Sequence, residues 1–585
     1  MKPSRTSVAS VNATLLLFLV GLSAAAQQRA PDLQTPKDYR SRTIYFLITD
    51  RFHPHEPYAP YVDPMYPDAT NTVNCFVQSC TQEQEFRKYW GGDIQGVIQK
   101  LDYLKDLGIS AVWVTPLMEN VRAYVGGTGY GTGYHGYWVQ NYYRVNAHFG
   151  DWADVNDLSR EMHERGMRYI QDITLNHSNP LDNHVDGRLY ESSISDQIFI
   201  NSYEDDYDHS NGLRYYKHYQ DDPRCEAATT IADYDWSYWQ LHHCLLADLS
   251  GYNQRNQDVA KYLLRAGKMW IDNGVDDYRL DAVKFPFPEF IASFTRTMRE
   301  HLASLGRPSP YIVGEWSNGG AGDAKSLRFA NHYQEFGTNI LDFQLSFKLN
   351  QFIGGNYEQD SERISAFDLD NFLHERVQAF KGRDTWQGTF LDNHDQIRTL
   401  VRLQKINVAD EAERRQRMDL GTVLLMTVRG IPIIYYGDEQ YLAHYDDGQN
   451  TPPQYVNSGD DDPWNRPGLN RWDENTPAFN IIGILADLRK RSPAISEGRY
   501  LTAYVDNDIL MFERVQNGGV VLVAVNRGDE KTISLPGSLG IAPGDYTGLL
   551  AHATDANYGN YLSVKRNGWT LHLNRLSSLV LERSR

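Results

Sequence analysis

The sequence predicts an α/β fold: a (β/α)8 barrel, interrupted after its third strand by an inserted domain and followed by an antiparallel β-sandwich. Three observations carry this reading. Eight short segments rich in β-branched and aromatic residues recur up to Glu439 and alternate with helical patterning, which implies parallel pairing and, at eight units, a closed TIM-type barrel. Between the third such segment and the next helix, His177 to Asp258, lie about eighty residues, far too many for a simple loop. After Ser492-Pro493 the pattern changes to short strands separated by turn signals.

The N-terminus reads as a secretory signal. Lys2 and Arg5 precede the apolar run Ala13–Leu22, followed by Ser23-Ala24-Ala25-Ala26, a small-residue cleavage site. Residues 1–26 are thus expected to be removed, leaving a secreted or periplasmic chain. The run is short for a bilayer span, and no later segment is long and apolar enough to hold the mature chain in a membrane.

The eight strand candidates are Thr43–Phe52, Ser110–Leu117, Arg168–Asn176, Asp277–Val283, Tyr311–Trp316, Ile340–Ser346, Gly388–Asp395 and Ile431–Glu439. Amphipathic helices are predicted over Ile94–Leu107, Trp152–Arg165 and Val259–Asn273, each stopped by a glycine: Gly108, Gly166 and Gly274. The barrel therefore takes residues 40–176 and 251–491, and the excursion at 177–250, rich in Asp, Tyr, Asn and His, is a domain of its own. In the last part, 495–585, the strings ILMFERV, VVLVAV, TISL, WTLHL and SSLVLE with Asn517-Gly518-Gly519 between the first two read as the sandwich.

Composition narrows the function classes. With 41% hydrophobic and 23% charged residues, the chain is ordinary globular material. A net charge of −18 disfavours nucleic acid and anionic membranes as partners, whose phosphates it would repel. The 38 Tyr and 12 Trp suit surfaces that stack on sugar rings, although a large core with polar-tipped aromatics accounts for them equally. The four cysteines fall into two locally spaced pairs, Cys75 with Cys80 and Cys225 with Cys244; local pairing is the simplest of three connectivities, and the others stay open.

Several strand candidates end in polar residues. Asp172, Asn176 and His177 close the third, Arg279 and Asp281 sit in the fourth, Glu315 in the fifth, and His394 and Asp395 end the seventh. A barrel gathers such strand ends at one mouth, where barrel active sites are built. For any one of these residues alone, a salt bridge or a strand-end cap is the plainer explanation.

The strings DITLNH, YRLDAVK, VGEW and LDNHD, in that order, resemble the four signature regions of the α-amylase family, and LADL at Leu246–Leu249 resembles the calcium-loop motif of its inserted domain. The resemblance spans roughly residues 40 to 585 and implies retaining cleavage of α-1,4-glucosidic bonds. That chemistry needs a carboxylate nucleophile and a carboxylic acid about 5 Å apart. The resemblance assigns Asp281 as nucleophile, Glu315 as acid/base and Asp395 as transition-state stabiliser. Arg279, two residues before Asp281, lies on the same strand face, and its charge favours the ionised carboxylate. His177, His394, His135 and Lys284 are implied as contacts to the sugar, and Tyr137 and Trp138, in YHGYW, as a stacking platform. Asp462 and Arg466, in DPWNRP, resemble a sugar clamp. Asn176, Asp248 and the backbone carbonyl of Phe285 resemble ligands of a structural Ca2+, a cation that prefers such oxygen donors.

Within the family the sequence is most similar to cyclodextrin glucanotransferases and their related amylases. It departs from the cyclising enzymes at Cys244, where they carry a large aromatic, at Ser317, where they carry phenylalanine, at His53–Pro57, which replaces a second calcium loop, and in ending after one C-terminal β-domain. Losing acceptor-side aromatics favours water as acceptor. The sequence is therefore read as a secreted monomeric α-amylase acting on starch, glycogen and maltooligosaccharides, with a transglycosylase as the alternative. A catalytically inactive glucan-binding member is disfavoured, since all three carboxylates are present.

Overall fold

The computed structural model describes residues 37–584 apart from positions 72, 78–79, 81–82, 123–130, 182–185, 193–196, 209–211, 220–221, 229–235, 318–323, 355–362, 444–462, 537–540, 553–560 and 566–567. The expected signal segment, 1–26, and Asp462 lie outside the described residues. No described helix is long and apolar enough to cross a membrane.

Each of the eight strand candidates contributes a strand to one parallel sheet: β1 (Ile44–Leu47), β2 (Ala111–Val114), β3 (Arg168–Thr174), β4 (Asp277–Asp281), β5 (Ile312–Gly314), β6 (Asn339–Ile340), β7 (Gly388–Thr389) and β8 (Ile431–Tyr435). Their order is β6-β5-β4-β3-β2-β1-β8-β7. A parallel bridge between Leu341, just after β6, and Gly388 of β7 closes the barrel. β1, β2, β4, β5 and β8 are buried along their whole length, as expected for strands covered inside by barrel side chains and outside by helices.

Two local expectations are corrected. The sixth segment, Ile340–Ser346, leaves the sheet almost at once, and Phe343–Gly354 is a helix. From Leu341 the segment alternates apolar and polar residues as a strand does, and the chain turns into the helix against that pattern. The helix expected over Ile94–Leu107 is two short ones, Ile94–Gln99 and Leu101–Asp106, broken at Lys100. The other two hold at Trp152–Glu164 and Gln257–Asp272, and the stop glycines Gly108, Gly166 and Gly274 all take positive φ.

The insertion leaves β3 as a strand, His177–Pro180, and returns as Leu249–Gly251, which pairs with it antiparallel. Both ends of the excursion are thereby anchored beside β3 and Asn176. The disulfides follow the local pairing, Cys75–Cys80 and Cys225–Cys244.

After the helix Pro477–Arg491 the chain forms a six-stranded sheet in the order 499–505, 509–516, 519–526, 577–583, 544–552, 561–564, and a two-stranded sheet of 531–535 with 569–573. Alternation along one strand shows the packing. Ile509 and Met511 join a core with Ile533 and Leu571 of the small sheet, while Leu510 and Phe512 face the main core of the barrel. The large sheet is thus one layer of a sandwich and also the wall against the barrel.

Candidate active site

Parallel register places the charged residues. Arg279 of β4 lies opposite Asp172 of β3, and Asp281 follows on the same face. Glu315 follows β5 and continues its ladder, donating its backbone N–H to the Leu280 carbonyl at 2.9 Å. Gly314, which precedes it, approaches Val283 so closely that a Cβ would lie 2.7 Å from the valine side chain. Glycine is needed there for Glu315 to come up beside β4.

One buried guanidinium organises the site. Arg279 Nη1 lies 2.7 Å from Asp281 Oδ1 and 3.1 Å from both oxygens of Asp172, and Nη2 lies 2.9 Å from Glu315 Oε2. Ala282, directly after Asp281, takes a left-handed φ of 46° and donates its N–H to Glu315 Oε2 at 3.0 Å. Such a conformation is costly for a residue with a Cβ, and here it aims a backbone donor at the Glu315 carboxylate. Asp172 Oδ2 also accepts from Trp113 Nε1 at 3.0 Å and from the Tyr137 hydroxyl at 2.9 Å.

Burial pushes the Asp281 carboxyl well above the usual carboxylate range; Arg279 opposes this, and Glu315 and Asp172 reinforce it. Burial likewise pushes Asp172 up to about 6 against Arg279. Arg279 acts in the expected direction, favouring the ionised form of both carboxylates, but against the larger effect of burial. The guanidinium is shared by three carboxylates, and burial makes Asp281 and Asp172 hold a proton more tightly than exposed carboxylates do.

The histidines are neutral hydrogen-bonding groups. Burial lowers His177 to about 4 and His394 and His135 well below their ordinary value. His177 Nε2 lies 4.0 Å from Asp281 Oδ2, and His394 Nε2 lies 3.0 Å from Asp395 Oδ2. Tyr137 stacks on the His394 ring, with centroids 5.2 Å apart. His135 accepts the Tyr137 N–H through Nδ1 at 3.0 Å and meets Trp138 edge-on, so it supports the YHGYW turn. Trp138 is half-buried at the rim.

Arg466 lies beside Asp395. Its Nη2 is 3.0 Å from Asp395 Oδ1, and Nε donates to the His394 carbonyl at 2.9 Å. The expected sugar clamp is therefore in part a support for Asp395. Lys284 donates to the Ser317 carbonyl at 2.7 Å, tying the segment after β4 to the segment after β5. A groove of about 380 Å3 runs beside Asp395, lined among others by Phe347, Gln351, Gln396 and Arg402.

The calcium ligands do not fit as expected. Asn176 Oδ1 and the Phe285 carbonyl do face one point, but that point holds the side-chain nitrogen of Lys217, 3.2 Å from each oxygen. His242 Nδ1 also lies 3.2 Å from the Phe285 carbonyl. Asp248 is half-buried, and its carbonyl accepts from the Leu181 N–H. Among the described residues no group of three or more His, Cys, Asp or Glu is arranged to hold a metal ion.

The sequence alone gives Asp172, Trp113 and Lys217 no role. The position of Asp172 at the end of a barrel strand was the available signal for it; Trp113 and Lys217 offered none.

Comparison with known proteins agrees with this fold. Residues 65–478 match the model of the α-amylase catalytic domain. The cyclomaltodextrin glucanotransferase of Klebsiella oxytoca is 34% identical over 569 residues, covering 94% of this chain and 78% of that enzyme. Among solved structures, a cyclomaltodextrin glucanotransferase with a three-domain ABC distribution superposes with a TM-score of 0.73 at 27% identity, covering 93% of this chain and 99% of that one. An Anoxybacillus α-amylase superposes with a TM-score of 0.69 at 25% identity, covering 93% and 98%. A barrel of this topology, carrying these carboxylates at its mouth, with a catalytic-domain match over most of its length, belongs to the α-amylase family.

Proposed function

We propose that this chain is an exported enzyme that cleaves internal α-1,4-glucosidic bonds of starch, glycogen and maltooligosaccharides with retention of configuration, and that water is its main acceptor. The observation that carries the reading is the Arg279 fork, which binds Asp281 through one nitrogen and Glu315 through the other. One guanidinium gripping both carboxylates keeps them near each other, which suits the short separation of retaining chemistry, about 5 Å, better than the wider spacing that admits a water between them.

The free oxygens suggest the division of labour. Both donors to Glu315 converge on Oε2, which leaves Oε1 to carry the proton for the glycosidic oxygen. Arg279 holds Asp281 Oδ1, which leaves Oδ2 to attack the anomeric carbon. Protonation by Glu315 releases the leaving sugar as a covalent glucosyl ester forms on Asp281. Glu315, now ionised, takes a proton from water, which attacks the ester and frees Asp281. Asp395, held by His394 and Arg466, stabilises the positive charge that develops on the ring.

Water rather than sugar as acceptor rests on Cys244 and Ser317. Cys244 is buried and bonded to Cys225, and the Ser317 carbonyl is taken by Lys284. Neither position presents an aromatic face to an incoming glucan. A second reading, transfer to a sugar, is favoured by the glucanotransferases among the relatives. One of these is a glucanotransferase with a three-domain ABC distribution, of which this chain matches 99%. Time-resolved product analysis on soluble starch, amylose, pullulan and cyclodextrins separates the two. Early linear maltooligosaccharides support hydrolysis, and early abundant cyclodextrins support transfer.

A further inference from the structure

Lys217 stands in the insertion, and its side chain reaches out of it. Its backbone N–H donates to the Gly251 carbonyl at 2.8 Å, and its own carbonyl accepts from the Tyr203 hydroxyl at 2.5 Å, so the main chain is fixed on both sides. The residue is 2% exposed. Its side-chain nitrogen ends between Asn176 Oδ1, just after β3, and the Phe285 carbonyl, just after β4. One side chain thus joins the insertion to the ends of two neighbouring barrel strands, the strands that carry Asp172, Arg279 and Asp281.

The two oxygens that receive Lys217 are the two barrel oxygens that the family resemblance would give to calcium. A carbonyl and an amide oxygen converging in a buried space need a partner of positive character, since each is costly to leave unpaired. A lysine nitrogen supplies several N–H donors in one group. With that nitrogen 3.2 Å from both oxygens, the space a cation would need between them is already filled and both oxygens are already paired.

We propose that Lys217 is a built-in substitute for a metal ion at the junction of barrel and insertion, so that the folded state of this chain does not depend on calcium. Lys217 locks the insertion to β3 and β4, and through them steadies the loops that follow the catalytic strands. The inference concerns stability and stands whether the enzyme hydrolyses or transfers.

The test is thermal unfolding of the full chain with excess chelator and with millimolar calcium, together with elemental analysis of the protein after dialysis. The expected result is the same melting temperature in both, with calcium well below one ion per chain. A melting temperature that falls by several degrees in chelator, with about one bound calcium per chain, would overturn the proposal. A second arm uses Lys217→Met, which keeps the bulk and removes the donors. It is expected to melt several degrees below the unaltered protein, and melting at an unchanged temperature would overturn the proposal. If that variant does not fold, the chelation arm still decides, because it needs no substitution.

Discussion

Arg279 Nη1 lies 2.7 Å from Asp281 Oδ1, at the end of the fourth barrel strand. The same guanidinium also faces Asp172 and Glu315, so one fixed cation balances three carboxylates in a buried site. Lysine carries the charge but not the planar fork, and it cannot hold three partners at once. Arg279→Lys should lower kcat/KM at least about a hundredfold, on the scale of losing preorganised charge. It should also move the acid limb of the kcat/KM profile to higher pH. The sign follows from the charges: a nearby cation favours the ionised carboxylate, and weakening it raises the pKa. An unmoved acid limb would show that Arg279 does not set the protonation of the cluster.

The two proposed reacting carboxylates differ in how they depend on the leaving group. Asp281→Asn and Glu315→Gln should each reduce the rate on starch by several orders of magnitude. On an activated aryl maltooligosaccharide, whose leaving group needs no proton, Glu315→Gln should recover much of its first-step rate and Asp281→Asn should not. Equal losses on both substrates would remove Glu315 from the acid role.

Most of this arrangement is legible in the sequence, and its gaps have physical causes. The eight strands show because buried parallel strands need runs of β-branched and aromatic residues, as in Ala111–Val114 and Ile431–Tyr435. The early end of the sixth strand does not show, because Leu341–Ser346 alternates apolar and polar residues as a strand would and yet enters a helix at Phe343. Asp172 stands in a signature string, but its partners Trp113, Tyr137 and Arg279 lie 59, 35 and 107 residues away and meet it only when the barrel closes. Lys217 is 41 and 68 residues from its two acceptors and sits in a polar stretch without periodicity.

Acceptor choice is open to a single substitution. Ser317→Phe would add an aromatic face beside the reacting centre, worth about 1 kcal/mol of sugar binding. The ratio of transfer to hydrolysis on maltooligosaccharides should then rise about fivefold. The check is chromatography of products at matched early conversion, and an unchanged ratio would mean that this position does not govern the acceptor.

The junction with the C-terminal sheet has its own pH dependence. Asp419 is buried, with the Tyr441 hydroxyl at 2.7 Å from Oδ1 and His552 Nε2 at 3.2 Å from Oδ2, and burial pushes its carboxyl up to about 7. A carboxyl with a raised folded-state pKa favours folding fully below its unfolded value, and the contribution is lost as pH rises through about 7. The melting temperature should therefore decline as pH rises from about 4 to about 7 and level off above that. Asp419→Asn should flatten that decline while leaving the acidic end of the profile unchanged. An identical slope in the variant would place the pH sensitivity elsewhere.

The central claim is that Asp281 and Glu315 work as a closely spaced retaining pair. The most direct measurement is proton NMR of the newly formed reducing end during the first minutes of maltooligosaccharide cleavage, before mutarotation scrambles it. The geometry predicts the α-anomer as the initial product. An initial β-anomer would contradict the two-carboxylate retaining mechanism.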